Sequence, residues 1–353
     1  MNRVMNMYRP RFKITNEILG NIAAIAAAKE AIFSSPILPK WEQKLKKDAI
    51  ISRTHNSTAI EGNKLTYNEV ESLYDGKDVN AKRKDIIEAK NYMKALQYID
   101  NLGKRKRFRV SERNILRMQE INCKDTIERK YLGVYRPMQV VVRETNGKVW
   151  HIAPKAKDVP NLMKEFIVWL NSEEALHLDP VLHAAIAHYQ FVTIHPFKDG
   201  NGRTSRTLAT LILYLRGFDT KRIFALDDYY NEKLITYYKA LNKCQKSKSQ
   251  DTTSWIEYFS AGVMKSMLKV KRKIIQLSLD RELKTKIGQI YLSDRQLKAV
   301  EFCKKNGCIS NKDYRSITNL SNKSAYQDLT KMSKFGLLEA KGKSRNLKYY
   351  LKK

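Results

Sequence analysis

His195-Pro196-Phe197-Lys198-Asp199-Gly200-Asn201-Gly202-Arg203-Thr204-Ser205-Arg206 is the stretch on which the reading of this chain turns. It lies between two apolar runs, each of which reads as a buried helix. Upstream, Asp179 suits an N-cap and Pro180 the first helical position, and the segment from there to Thr193 is strongly apolar. Downstream, Leu208, Leu211, Ile212 and Leu215 recur at i, i+3, i+4 and i+7, so a helix is expected over 202–216 with Gly217 as its stop. The start of that helix presents unpaired N–H groups and the positive end of the macrodipole, a setting that binds anions. Gly200 and Gly202 leave the backbone bare for a phosphate. Arg203 and Arg206, three apart, share a face and offer guanidinium forks. Asp199 supplies one carboxylate, and one carboxylate with substrate phosphates and waters is a usual way to hold Mg²⁺. His195, at the end of the preceding helix, can take a proton from an attacking hydroxyl while neutral.

Other phosphate and metal loops do not fit. No Gly-Lys-Ser/Thr follows, so this is not a Walker A loop. With Gly202 in the glycine position of an EF-hand, positions 1 and 12 fall on Phe197 and Leu208, which cannot bind Ca²⁺ as required. A plain glycine-rich turn with incidental charges explains a lone His or Asp, but not the whole string.

The string matches His-Pro-Phe-x-Asp/Glu-Gly-Asn-Gly-Arg-x-x-Arg, the signature of Fic proteins, at every specified position. The resemblance implies transfer of AMP from ATP to a Ser, Thr or Tyr hydroxyl of a protein target, a target that can include the protein itself. His195 is then the general base and Asp199 the Mg²⁺ ligand. Asn201 and the neighbouring backbone N–H groups form the anion hole, Gly200 and Gly202 let the phosphates approach, Arg203 and Arg206 bind the β- and γ-phosphates, and Phe197 packs inward. The related Doc-like kinases usually carry Ala at the position of Gly200, so the intact Gly-Asn-Gly favours AMP transfer. Upstream, Ser57-Thr58-Ala59-Ile60-Glu61-Gly62 resembles the Fic inhibitory motif, in which Glu61 pairs with Arg206 and occupies the fork meant for the γ-phosphate. A helix ending at Glu61 with Gly62 as its stop is the plainer reading, and both can hold. Met138 to Val142 and Val149 to Ile152, around Asn146-Gly147, read as a β-hairpin. It falls where Fic proteins carry a flap that can hold a target segment by strand addition. Tyr230, Tyr237 and Tyr238 resemble the adenine side of the family's site, and core packing is the alternative for each.

The fold class that follows is mainly α: a Fic helical core with a β-hairpin flap and a small C-terminal winged helix-turn-helix. Helical spacing recurs from Ile18 to Ile32, Asn68 to Tyr74, Ile86 to Ile99 and Val110 to Ile121, and again from Thr252 into Lys269 to Lys273. The expected division is 1–105 for a helical region with the inhibitory motif, 106–287 for the catalytic core and 288–353 for the winged helix. From Thr285 to Lys353 there are 16 Lys and Arg against 5 Asp and Glu, a net of +11. Helices are expected over Ser293–Lys305, Asn311–Ile317 and Asn322–Phe335, then strands at Leu337–Ala340 and Leu347–Leu351. In such a domain Lys323, Tyr326 and Gln327 meet the major groove of DNA and Arg345 in the wing meets phosphate or the minor groove. The same fold also serves protein contacts, and that choice stays open.

The whole chain of 353 residues carries a net charge of +31, which suits a polyanionic partner or a lysine-rich solvated surface. Four sparse cysteines without zinc-finger spacing point to a reduced cytoplasm. The apolar run Ile22–Ala28 is far short of a membrane span, and no signal-peptide pattern is read. Fic proteins of this arrangement are often dimers, so a homodimer is expected by resemblance. The reading from another class is a DNA-binding regulator whose Fic core senses nucleotide; a base at His195 is what a pure sensor does not need.

Overall fold

The computed structural model describes residues 8–34, 39–105, 107–143, 147, 149–218, 221–247, 249–286, 293–342 and 347–352. The chain divides into two compact units, 1–274 and 275–353.

The first unit is built of helices: α1 (Asn16–Ser34), α2 (Pro39–Ile60), α3 (Tyr67–Tyr74), α4 (Arg83–Gly103) and α5 (Glu112–Cys123). A two-stranded hairpin of β1 (Val141–Arg143) and β2 (Val149–Ile152) follows, then α6 (Val159–Leu170), α7 (Glu173–His177), α8 (Pro180–Ile194), α9 (Asn201–Leu215), α10 (Asp227–Glu232), α11 (Leu234–Gln245) and the start of α12 (Thr253–Lys286). At the centre α8 packs along α9. Helix α8 is buried on every side, as a helix apolar all round must be. Asp179 caps it, its carboxylate accepting from the Val181 N–H at 2.8 Å. Helices α4 and α5 cover α9, and α2 lies against α4, α9 and α10. A second cluster of Ile51, Leu65, Val70, Leu73 and Ala89 joins α2 to α3 and α4. Helix α3 opens with a full capping box between Thr66 and Glu69.

Strand β1 begins at Val141, three residues later than the β-branched run suggested. The Met138 carbonyl is taken by Arg136 Nη1 at 2.8 Å, which keeps that end out of the ladder. The pairing is antiparallel with a register shift between Val142 and Arg143. Gly147 has φ +86, as the turn requires, whereas Asn146 lies outside the described residues.

The second unit contains α13 (Asp294–Asn306), β3 (Ile309–Ser310), α14 (Asn311–Thr318), α15 (Asn322–Lys334), β4 (Leu338–Lys341) and β5 (Lys348–Leu351). The strands form one antiparallel sheet in the order β3-β5-β4. Its core gathers Val300, Ile309, Tyr314, Leu329, Met332 and Tyr349. Ser321 caps α15, and Asn319, at φ +54, ends α14 in the left-handed region. No helix among the described residues is long and apolar enough to cross a membrane.

Candidate active site

The loop between α8 and α9 is held by bonds that the motif itself supplies. His195 ends α8 in the left-handed region at φ +51, a conformation that costs a non-glycine residue roughly 1–2 kcal/mol. Arg136 clamps it there. Its Nε donates to the His195 carbonyl at 2.8 Å and its backbone N–H to the Pro196 carbonyl at 2.9 Å. The same guanidinium donates to the carbonyls of Met138 and Pro154, at the two feet of the hairpin. Arg136 therefore ties the His195 backbone to the base of β1 and β2. Phe197 is fully buried between Tyr135 and Phe191. The Asn201 side chain spans the loop, accepting from the Phe197 N–H at 2.9 Å and donating to the Phe197 carbonyl at 2.8 Å. Its amide thus shapes the turn, and the first N–H groups of α9, which have no partner inside the helix, are left able to meet an anion.

Two glycines of the loop are there for space. Gly200 sits at φ +83, and a Cβ on it would run into Cys123 Sγ. A Cβ on Gly202 would run into the Glu61 carboxylate. Gln119, fully buried on α5, braces the loop from outside: it donates to the Asp199 carbonyl at 3.2 Å and accepts from the Gly133 N–H at 2.6 Å.

His195 Nδ1 lies 3.2 Å from the Val192 carbonyl. A carbonyl can only accept, so Nδ1 carries the proton and the lone pair is on Nε2. Burial pushes the imidazole pKa down to about 4, with His151 and Arg136 adding to the shift against the Val192 carbonyl and Glu61. A neutral base at physiological pH is the consequence.

The two arginines share a helix but not their partners. Arg203, buried, reaches the Asn122 carbonyl at 3.3 Å, Asp199 at 3.4 Å and Glu88 at 3.6 Å. Arg206, also buried, donates through Nε to Ser57 Oγ at 2.7 Å and through Nη2 to the Ser57 carbonyl and to Glu61 Oε1, both at 2.8 Å. Asp227 Oδ1 stands 3.6 Å from Arg206 Nε on the core side, and Asp227 also pairs with Arg53 at 3.3 Å and accepts from Tyr92 OH at 3.1 Å. Burial opposes the Arg206 charge, but Glu61, then Tyr237, Tyr92 and Asp227, hold its pKa above the ordinary value. Gly62 follows α2 at φ +94, ending the helix just past the carboxylate.

Glu61, His195, Gly202 and Arg206 line one cavity of about 110 Å³ together with Trp150 and His151 of β2 and Tyr237 and Tyr238 of α11. Tyr238 stacks on Trp150 with ring centres 6.0 Å apart. Tyr230 does not line this cavity; it is 2% exposed and packs behind Tyr237 at 4.8 Å, as part of the core. Asp199 is half-exposed at the loop's outer edge. No group of three or more His, Cys, Asp or Glu suited to a metal occurs among the described residues. One carboxylate with substrate phosphates and waters is the arrangement the loop fits. Of the C-terminal candidates, Lys323, Tyr326 and Gln327 are exposed on the first turns of α15, and Arg345 lies outside the described residues.

Arg136, Gln119, Arg53, Tyr92 and Asp227 make contacts around the motif that the motif itself did not reveal. Arg136 alone carried a signal, in Gly133-x-Tyr135-Arg136, which resembles the family. The others are scattered singly over α2, α4, α5 and α10 and become neighbours only in the fold.

The architecture is that of Fic-family structures. It is similar over 98% of both chains to a Fic family protein from Desulfovibrio desulfuricans, at a TM-score of 0.66 and 23% identity. A Fic domain containing signaling protein from Bacteroides thetaiotaomicron is similar over 75% of this chain and 97% of its own, at 0.61 and 23%. Residues 109–213 match the model of the Fic/DOC family, and this segment is a Fic domain. In sequence the chain is similar to the protein adenylyltransferase Fic of Drosophila grimshawi, 34% identical over 186 residues. That match takes in 50% of this chain and 35% of the relative, so the chain spans about a third of the length of the curated relatives it matches.

Proposed function

We propose that the protein is an adenylyltransferase that moves AMP from ATP onto a Ser, Thr or Tyr hydroxyl of a protein target, and that Glu61 holds it inactive. The observation that supports this reading most is that His195, neutral at physiological pH, lines one cavity together with the bare backbone of Gly202 and the Arg206 fork. In the reaction, His195 Nε2 takes the proton of the target hydroxyl as its oxygen attacks the α-phosphorus. The first-turn N–H groups of α9 stabilise the charge that develops on the α-phosphate, and pyrophosphate leaves. Arg203 and Arg206 orient the outer phosphates. Asp199 would hold a Mg²⁺ ion, which neutralises phosphate charge. Tyr237 and Tyr238 stand where they can flank the adenine, and β1 and β2 can take a target segment by strand pairing.

Inhibition is supported by size and charge. A cavity of about 110 Å³ is small against the ~300–1,000 Å³ usual for small-molecule sites. Glu61 occupies the fork that a terminal phosphate needs, while the exposure of its side chain, 29%, lets it leave. The test is uptake of α-labelled AMP with Mg²⁺ by the protein and its Glu61→Gly variant, with His195→Ala as the blank. Label on the Glu61→Gly protein and none on the blank supports both chemistry and brake. Bound ATP without label on either protein refutes AMP transfer from ATP.

A second reading is favoured by the C-terminal unit. Its order of helices and strands suits a winged helix, and Lys323, Tyr326 and Gln327 stand exposed at the head of α15. DNA binding through this unit, with the Fic core reporting on nucleotide, predicts salt-dependent affinity for duplex DNA that falls in Lys323→Glu. Affinity equal in the variant removes this reading.

A further inference from the structure

A second, larger cavity of about 690 Å³ lies against α2 and α4, within the range of small-molecule sites. Helices α2 and α4 form its walls, and Tyr214 and Arg222 close it. Its lining is basic: Lys46, Arg53, Lys94, Lys104 and Arg222 face it with Asp100 as the wall's carboxylate. Asp100 is already shared, with Lys104 at 2.6 Å and Arg222 at 2.7 Å. Lys46 pairs with Glu42 at 2.7 Å and Arg53 with Asp227 at 3.3 Å, so the surplus of positive charge is carried by the exposed Lys94 and by the second cation on Asp100. Between the cations the surface is apolar and aromatic, with Ile50, Leu96 and Tyr74. Positive charge set among apolar and aromatic side chains suits an anion with a flat organic body.

The floor of this cavity leads directly to the phosphate site. Arg53, 4% exposed, pairs with Asp227 at 3.3 Å. Asp227 reaches Arg206 at 3.6 Å, and Arg206 holds Glu61 at 2.8 Å. Arg53, Ser57 and Glu61 also succeed one another four residues apart along one face of α2 and its end. Asp227 is thus shared by two guanidiniums, one from each cavity. An anion beside Arg53 takes up part of that guanidinium's charge. Asp227 then turns more of its own charge to Arg206, and Glu61 is held less firmly.

We propose that this cavity is an effector site for a small organic anion of nucleoside-phosphate size, and that its occupant loosens the Glu61–Arg206 pair through Arg53 and Asp227. The first half stands on the cavity alone, and the second rests on the reading of Glu61 as a brake.

The probe is 8-anilinonaphthalene-1-sulfonate, an aromatic body with one fixed negative charge, titrated by fluorescence into the full chain. Saturable binding at one site per chain is expected. It weakens at least about 10-fold in Lys46→Glu/Lys94→Glu, through charge. It weakens equally in Ile50→Trp, which fills the cavity and leaves the charges in place. Thermal melts of both variants establish that they are folded. Wild-type affinity in both, or binding that never saturates, overturns the site. Coupling is read by MgATP titration, not by turnover. With probe saturating, the wild-type protein binds MgATP several-fold more tightly, and Glu61→Gly shows no change. Unchanged MgATP affinity in the wild type overturns the coupling. Failure of every variant to take up AMP label while these titrations succeed counts against the adenylyltransferase reading, not against the site.

Discussion

Arg206 stands between a floor and a mouth, and the two hold it differently. On the floor side, Asp227 of α10 is 2% exposed and bonded to Arg53 and Tyr92 as well. On the mouth side, Glu61 reaches the same guanidinium from the end of α2 with 29% of its side chain in solvent. A carboxylate in the core cannot leave without stranding buried charge, whereas one at the surface regains water when it goes. In the inhibition proposed above, this difference separates a permanent support from a removable plug. The same guanidinium can therefore be fixed in place and still change its partner.

The largest effect should come from the one group that neither side replaces. His195→Ala removes the base while leaving the Arg206 contacts in place, and a general base contributes ~10²–10⁴-fold. Transfer of AMP in the Glu61→Gly background should fall by that factor with MgATP affinity nearly unchanged. A matching loss of affinity would mean that His195 positions phosphate and does not take a proton.

Breaking the floor comes next. Asp227→Asn leaves Arg53 and Arg206 buried beside a neutral amide, and losing one partner of a buried pair costs ~3–5 kcal/mol. Denaturant unfolding should show that loss. Removing the carboxylate at the mouth should do the reverse to function at a smaller cost in stability. Glu61→Gly gives up one charged hydrogen bond, worth ~1.5–3 kcal/mol, and frees the fork. MgATP should then bind about 10–100-fold more tightly. If Asp227→Asn and Glu61→Gly prove equally destabilising, floor and mouth are not distinct.

What the sequence made legible follows the same division. The loop from His195 to Arg206 could be read because its residues are contiguous and the geometry of a helix start gives each a task. Glu61 could be read because it stands beside Ser57 and Gly62 in one short motif. The second core helix, α2, was legible only at its end, since charged residues interrupt its apolar spacing from Lys44 to Asp48. Strand β3, two residues long, gives no periodic signal. Asp227 was not legible at all. Its partners lie 174 and 135 residues away in Arg53 and Tyr92, and nothing local in Asp227-Asp228-Tyr229-Tyr230 says which carboxylate turns inward. Tyr230, expected beside the adenine, shows the same limit: Tyr230 and Tyr237 are equally buried, and only the lining of the cavity separates Tyr230 from Tyr237 and Tyr238.

The smallest effect sharpens the role of His195. Its pKa is held near 4 by burial, below the ordinary ~6.5 of histidine. Between pH 8 and pH 6 the imidazole therefore stays neutral, and AMP transfer by Glu61→Gly should vary less than about 2-fold where an unshifted histidine would lose roughly three quarters of its neutral form. Stability has a different window. His183 and His188 are buried with pKa values pushed down, to about 3 for His183, chiefly by burial. Groups whose folded pKa is depressed in this way and whose charged form is the acid one keep the fold fully stable above the unfolded value of about 6.5. Below it the unfolded chain binds protons that the folded chain refuses, and stability falls as the pH drops toward the folded values. Melting temperature should thus decline below pH 6 while the rate at pH 6 is still at its plateau. A rate that falls in step with the free histidine titration near pH 6.5 would place His195 in water, outside the clamp that Arg136 makes.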